Sequence, residues 1–231
     1  MSHDPFTALD NPAWWALTGV QQAFATGASQ VKRYQRGILP FAGYQYGTAE
    51  SIILLDNWLE PGEVFFLIGE LPPLPAHWTL LNELPCAQMI NQAAVTPPEG
   101  NINIVHLTAD HKMDMYHLIQ KVQPGYYEPG THQLGDYYGI WQEEKLVAIA
   151  GERMRLEQLT EISAICTDPD YTGRKYAQHL IAQLCNTNFD KGIIPFLHVL
   201  ETNERAIGLY EYMGFTKRRT ISFWKLRKAD R

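Results

Sequence analysis

Apolar and polar positions are most clearly patterned in the C-terminal part of the chain. Residues 104–107 form a short apolar run that predicts a strand. Thr108 is placed to cap a helix over about 109–122, with Met113, Tyr116, Leu118 and Ile119 packing inward. A loop rich in Gly, Pro, Tyr and His follows over 123–135. Three strands come next, at about 136–142, 145–156 and 158–167, with Glu143-Glu144 and Glu157 at the turns. Tyr176, Leu180, Ile181, Leu184 and Cys185 recur at helical spacing and predict a helix over about 173–190. A strand over 193–200, a helix over 203–213 and a last strand over 215–228 complete the order β-α-β-β-β-α-β-α-β. That order predicts an α/β fold of the α+β kind, a mixed sheet with helices packed on it.

The N-terminal part is less regular. Asn11 followed by Pro12 predicts a capped helix start, and Trp14, Trp15 and Leu17 follow it. Residues 64–68 predict a buried strand, and 77–89 a short helix. The stretch 94–101 holds Pro97, Pro98 and Gly100, which interrupt any element and predict a linker. The chain is thus expected to divide into a separate α/β region, 1–98, and a second domain, 101–231. The first shows no catalytic pattern and is expected to shape the acceptor side of a site or to form a homodimer contact.

Composition narrows the function classes. The 231 residues are 45% hydrophobic and 19% charged, enough for a core and too apolar for global disorder. A net charge of −6 argues against a nonspecific nucleic-acid binder. No apolar run reaches the roughly 20 residues that cross a bilayer, and the start Met1–Pro5 lacks the basic and apolar stretches of a secretory leader. No nucleic-acid or membrane partner is expected. Three scattered cysteines, Cys86, Cys166 and Cys185, fit a reducing cytoplasm. Neither the cysteines nor the eight histidines show a metal-ligand spacing, so no metal is expected.

The chemistry concentrates where the strand ending at Thr167 turns through Asp168, Pro169, Asp170, Tyr171 and Thr172 into the helix opening at Gly173. The first amides of a helix lack internal partners and carry the positive end of its dipole. Such an end, with Arg174 and Lys175 beside it, suits a pyrophosphate. It is equally the form of a plain strand-to-helix turn with solvated charges. GxxxxGK[ST] and GxGxxG are both absent.

Two motifs resemble the GNAT superfamily of acyl-CoA-dependent N-acyltransferases over about 101–228. The first is Pro169-Asp170-Tyr171-Thr172-Gly173-Arg174-Lys175-Tyr176-Ala177, which is similar to the family's Gln/Arg-x-x-Gly-x-Gly/Ala loop. Thr172 stands where Gln or Arg is usual, and Lys175 where Gly is usual. The second is Asn203-Glu204-Arg205-Ala206-Ile207-Gly208-Leu209-Tyr210-Glu211-Tyr212-Met213-Gly214-Phe215, which is similar to Asn-x-x-Ala-x-x-Leu-Tyr-x-x-x-Gly-Phe. The resemblance implies the GNAT fold, with the additional N-terminal α/β region, and acetyl-CoA as cosubstrate. It implies that the backbone of Ile165, Cys166 and Thr167 pairs with the pantetheine. Thr172, Gly173, Arg174, Lys175, Tyr176, Ala177 and Gln178 would hold the pyrophosphate, Asn203 would touch the pantetheine, and Tyr210 would face the leaving thiolate.

An ammonium must lose a proton before it attacks a thioester, so a base or a water chain is required. Glu161, on the fourth strand of the C-terminal part, is a candidate if burial raises its pKa. His198, on the fifth, is the other. Tyr126, Tyr127, Glu128 and His132 lie in the 123–135 loop, which the resemblance places beside the acceptor. The expected function is acetyl transfer from acetyl-CoA to the primary amine of a small molecule or peptide. The alternative is a non-catalytic acyl-CoA-binding module, motivated by the two departures from the loop motif.

Overall fold

The computed structural model describes residues 6–230, so Met1–Pro5 and Arg231 lie outside the described residues. Among the described residues eleven strands form one mixed sheet. They are β1 (Ala25–Gly27), β2 (Val31–Tyr34), β3 (Phe41–Tyr44), β4 (Val64–Ile68), β5 (Trp78–Ile90), β6 (Val105–Leu107), β7 (Tyr137–Gln142), β8 (Lys145–Leu156), β9 (Leu159–Thr167), β10 (Ile194–Leu200) and β11 (Thr216–Lys228). Their order across the sheet is β1-β2-β3-β4-β11-β5-β10-β9-β8-β7-β6. The α-helices are α1 (Pro12–Thr18), α2 (Lys112–Val122), α3 (Tyr176–Asp190) and α4 (Glu204–Tyr212).

The expected α/β class and the C-terminal element order match this architecture. The 77–89 helix does not: those residues are β5, paired with β11 along its length and with β10 over Cys86–Ile90. Pro85 lies mid-segment, where a proline breaks a helix, and pairing on both flanks supplies the hydrogen bonds a helix would have made. The pairing also interleaves the two parts of the chain. β5 comes before the Pro97-Pro98 stretch, yet it lies between β10 and β11, which come after it.

On β8, Ile149 packs with α2, while its neighbours Ala148 and Ala150 pack with α3. Successive strand residues point to opposite faces, so the two helices cover opposite faces of the sheet. Leu118 and Ile119 are buried as expected, but Met113 is 53% exposed and Met115 takes its place inside. Thr108 does cap the turn before α2, in a reciprocal arrangement with His111. Asn11 makes no side-chain cap and instead donates to the Tyr44 carbonyl at 2.7 Å.

Candidate active site

The site begins where two neighbouring strands part. β9 and β10 pair in parallel only from Leu159/Ile194 to Glu161/Phe196. Beyond that point β9 follows β8 to Thr167 and β10 follows β5 to Leu200. A cavity of about 230 Å³ opens between them, with Ile162–Ile165 on one wall and His198–Leu200 on the other. A strand edge freed in this way can pair with an extended ligand. β9 also carries a bulge: Ala164 and Ile165 together face Ala150, and Ala164 sits at φ 52°. The left-handed region costs a residue with a Cβ about 1–2 kcal/mol, and the bulge re-aims the backbone of β9 at the mouth of the wedge.

At the end of β9 the buried Asp168 carboxylate accepts from Lys121 Nζ at 2.9 Å and lies 2.7 Å from Lys145 Nζ. Those hydrogen bonds hold its pKa well below the usual carboxylate range. The chain then turns through Pro169–Tyr171, with Gly173 at φ 79° and Lys175 at φ 61°, and enters α3 without a side-chain cap from Lys175. Two left-handed residues flanking Arg174 curl the backbone into the kind of amide nest that binds anions. A Cβ on Gly173 would meet no atom within 4 Å, so the space beside it is open. Arg174 and Lys145 both lie over the Tyr171 ring, at 5.0 and 5.4 Å from its centre. Lys175, which departs from the family pattern, adopts the backbone conformation that a glycine would take.

From α4, Asn203, Ala206 and Tyr210 face the cavity at helical spacing. Asn203 Oδ1 caps the helix by accepting from the Ala206 amide at 3.2 Å. Burial, with Cys166 nearby, pushes the Tyr210 hydroxyl well above its ordinary pKa, so it stays protonated. Among the described residues no group hydrogen-bonds that hydroxyl.

The acceptor side holds a buried charge cluster. Arg153 grips Glu161 side-on, Nε to Oε2 at 2.9 Å and Nη2 to Oε1 at 2.6 Å. His198 Nδ1 lies 2.7 Å from the same Oε1. Burial alone would raise the Glu161 pKa, but the Arg153 charge and the hydrogen bonds from Arg153 and His198 outweigh it and bring it from 4.5 to about 2. The raised pKa expected of a base is therefore reversed, because the carboxylate has a full counter-charge. His198 is committed as well. Gln88 Nε2 donates to the Leu9 carbonyl at 2.8 Å and Gln88 Oε1 accepts from Arg218 Nη1 at 2.9 Å. A carbonyl only accepts and a guanidinium only donates, so the Gln88 amide has one orientation. Its second N–H, 3.0 Å from His198 Nε2, takes that nitrogen's lone pair. His198 Nδ1 then donates its proton to Glu161. His198 can accept a proton only if Gln88 leaves Arg218 and turns.

Of the loop residues expected at the acceptor, Tyr126 and Tyr127 line the cavity. Glu128 and His132 do not. Glu128 borders a separate depression with Arg33 and Arg36, and His132 Nδ1 donates to the Pro129 carbonyl at 2.9 Å. Ile165 lines the cavity, while Cys166 is buried behind it with its thiol pushed up to about 12. Sequence reasoning missed Arg153, Tyr137, Gln88 and Arg218. Arg153 had a weak signal: it stands with Glu152 and Arg155 at the charged end of an otherwise apolar strand, and a buried charge needs a partner. Among the described residues no group of three His, Cys, Asp or Glu is placed to hold a metal, and no helix is long and apolar enough to cross a membrane.

A parted parallel strand pair, a bulge on one of its edges and a nest of amides at the following helix together make a site suited to an extended, anionic ligand. A family model described as FR47-like protein matches residues 137–224. The structure is similar to that of a GNAT-family protein from Novosphingobium aromaticivorans assigned as an acetyltransferase, at 31% identity and TM-score 0.87, covering 96% of this chain and 98% of that one. It shares its fold with a GCN5-related N-acetyltransferase from Kribbella flavida, at 13% identity and TM-score 0.64, covering 94% and 93%. A search of curated protein sequences found no match. The chain belongs to the GNAT superfamily of acyltransferases.

Proposed function

We propose that the protein transfers an acetyl group from acetyl-CoA to a primary amine by direct attack within a ternary complex. The observation that carries this reading is the single cavity in which the free β9 edge, the Tyr210 hydroxyl and an aromatic acceptor wall meet. The residues present fit the cosubstrate. The nest from Thr172 through Gln178 offers amides to the pyrophosphate, and the open edge at Ile165–Thr167 offers a ladder to the pantetheine amides.

The neutral amine attacks the thioester carbonyl carbon, and the oxyanion that forms needs a donor within hydrogen-bond distance. Backbone N–H groups at the Ala164 bulge supply it. The carbon–sulfur bond then breaks, and the Tyr210 hydroxyl gives its proton to the departing sulfur. Tyr210 recovers a proton from solvent. The amine's own proton leaves through water in the half-open cavity, because Glu161 is ionised and fully engaged and His198 has no free lone pair.

An amine panel with acetyl-CoA, read by free-thiol release, tests the reading. At least one amine should give thiol at a saturable rate. Saturable CoA binding by calorimetry with no thiol from any amine would favour the non-catalytic acyl-CoA-binding module instead.

A further inference from the structure

We infer that the acceptor is a small amine that also carries a carboxylate, an amino acid in the chemical sense, whose carboxylate is held by Arg153 and Tyr137. The inference rests on the acetyl-transfer reading and names the substrate class of that site.

Three observations carry it. First, Arg153 has donors left over. A guanidinium has five N–H groups, and the side-on pair with Glu161 uses one on Nε and one on Nη2. Among the described residues nothing accepts from Nη1. The side chain is only 12% exposed, and the guanidinium lies 5.0 Å from the Phe41 ring and 6.0 Å from the Phe223 ring, so its position is fixed on the cavity wall. The end-on edge it leaves open is one that binds carboxylates through two parallel bonds.

Second, the Tyr137 hydroxyl is buried on the same wall with no hydrogen-bond partner among the described residues. Tyr137 pairs with Gly151 across the β7–β8 ladder, and a Cβ on Gly151 would run into its ring. The glycine therefore makes room for the ring. Arg153 lies two residues along β8 from Gly151, near enough for its charge to act on the Tyr137 hydroxyl. A buried hydroxyl left unpaired is costly, and a ligand oxygen at this position would satisfy it.

Third, the charge on the wall has one sign. Among the described residues Arg153 is the only ionised side chain lining the cavity, and no Asp or Glu lines it. Both Glu161 oxygens are turned to Arg153 and His198. An acceptor with an ammonium alone would meet no counter-charge, whereas an added carboxylate would meet three guanidinium N–H groups and a phenol. A cavity of about 230 Å³, shared with the acyl end, limits such an acceptor to a small skeleton.

The test compares matched acceptors: alanine, leucine and phenylalanine against their carboxamides, and against the amines of the same side chains lacking the carboxyl group. Thiol release with acetyl-CoA is measured for each. The free amino acids should show a kcat/KM about 10- to 100-fold above their carboxamides, the range of a charge-assisted hydrogen bond. Tyr137→Phe removes only the unpaired hydroxyl. It should raise Tm and raise KM for the amino acids more than it lowers kcat, a split that a merely structural tyrosine would not give. Arg153→Lys keeps the counter-charge for Glu161 and should abolish the preference for the carboxylate. Equal or better transfer to the carboxamides and simple amines would overturn this inference and leave acetyl transfer standing. If no acceptor gives thiol, the transfer reading fails, and calorimetry of the amino acids on the CoA-bound protein decides the site. Heat of binding lost in Tyr137→Phe would support the site, and absence of binding would overturn it.

Discussion

Replacing Glu161 with Gln tests the buried cluster most directly. Glu161 is fully buried, and Arg153 and His198 both contact its oxygens. A carboxyl drawn from 4.5 to about 2 contributes about 3 kcal/mol at neutral pH, at roughly 1.4 kcal/mol per pH unit. That agrees with the roughly 3–5 kcal/mol lost when one partner of a buried ion pair is removed and the other charge stays behind. For a chain of this size the Tm should fall by about 6–12 °C. The pH dependence has a definite sign. The folded pKa is depressed, so the stabilisation is complete above 4.5 and is lost as pH falls toward 2. Urea unfolding of wild type and Glu161→Gln should therefore differ by a constant amount from pH 8 to 5. The gap should close between pH 4.5 and 2, where protonated Glu161 becomes nearly isosteric with Gln. Activity per folded molecule supplies the second reading. If Glu161 were the base, the substitution would flatten the acidic limb of the pH–rate profile; as a positioning residue it should leave the limb in place. A stability gap under about 1 kcal/mol at pH 7, or one that does not narrow toward pH 3, would refute the account of the cluster.

Three further outcomes follow from the same geometry. Tyr210→Phe should lower kcat by about 10²–10⁴-fold with CoA affinity unchanged by calorimetry; full turnover would reduce Tyr210 to a core residue. Lys175 sits at φ 61°, so Lys175→Gly should fold at least as well as wild type. Lys175→Val should lose more than about 1 kcal/mol in urea unfolding, and equal stability of the two would contradict the left-handed cap. A fragment starting at Asn101 lacks β5 and bares the facing edges of β10 and β11. It should aggregate or fail to bind CoA, and a soluble fragment with a cooperative melt would show that the first 98 residues form a dispensable unit.

How much was legible depended on what kind of interaction fixed each feature. Periodicity located the C-terminal elements to within a few residues because strand and helix periods are local. It failed at β5, where Leu80, Leu81 and Leu84 recur at near-helical spacing and the decision was made by partners more than 100 residues away, β10 and β11. Pro85 was the local sign against a helix. The loop at Gly173 and the Asn203–Tyr210 face were legible as motifs, since both are short-range. The acceptor wall was not. Whether Glu161 is a base or a counter-ion turns on Arg153 across the β8–β9 ladder and on His198 across the wedge, and alternation along β9 reports only that Glu161 points to one side. Burial was inferred correctly and the sign of the pKa shift was not. Burial and pairing act in opposite directions on a carboxylate, and the larger of the two belongs to a residue on another strand. The same reasoning explains why His198 offers no free ring nitrogen to a substrate. Its state is set through Gln88 by two groups, the Leu9 carbonyl and Arg218, that lie at opposite ends of the chain. The N-terminal segment therefore enters the chemistry of the site through one amide orientation.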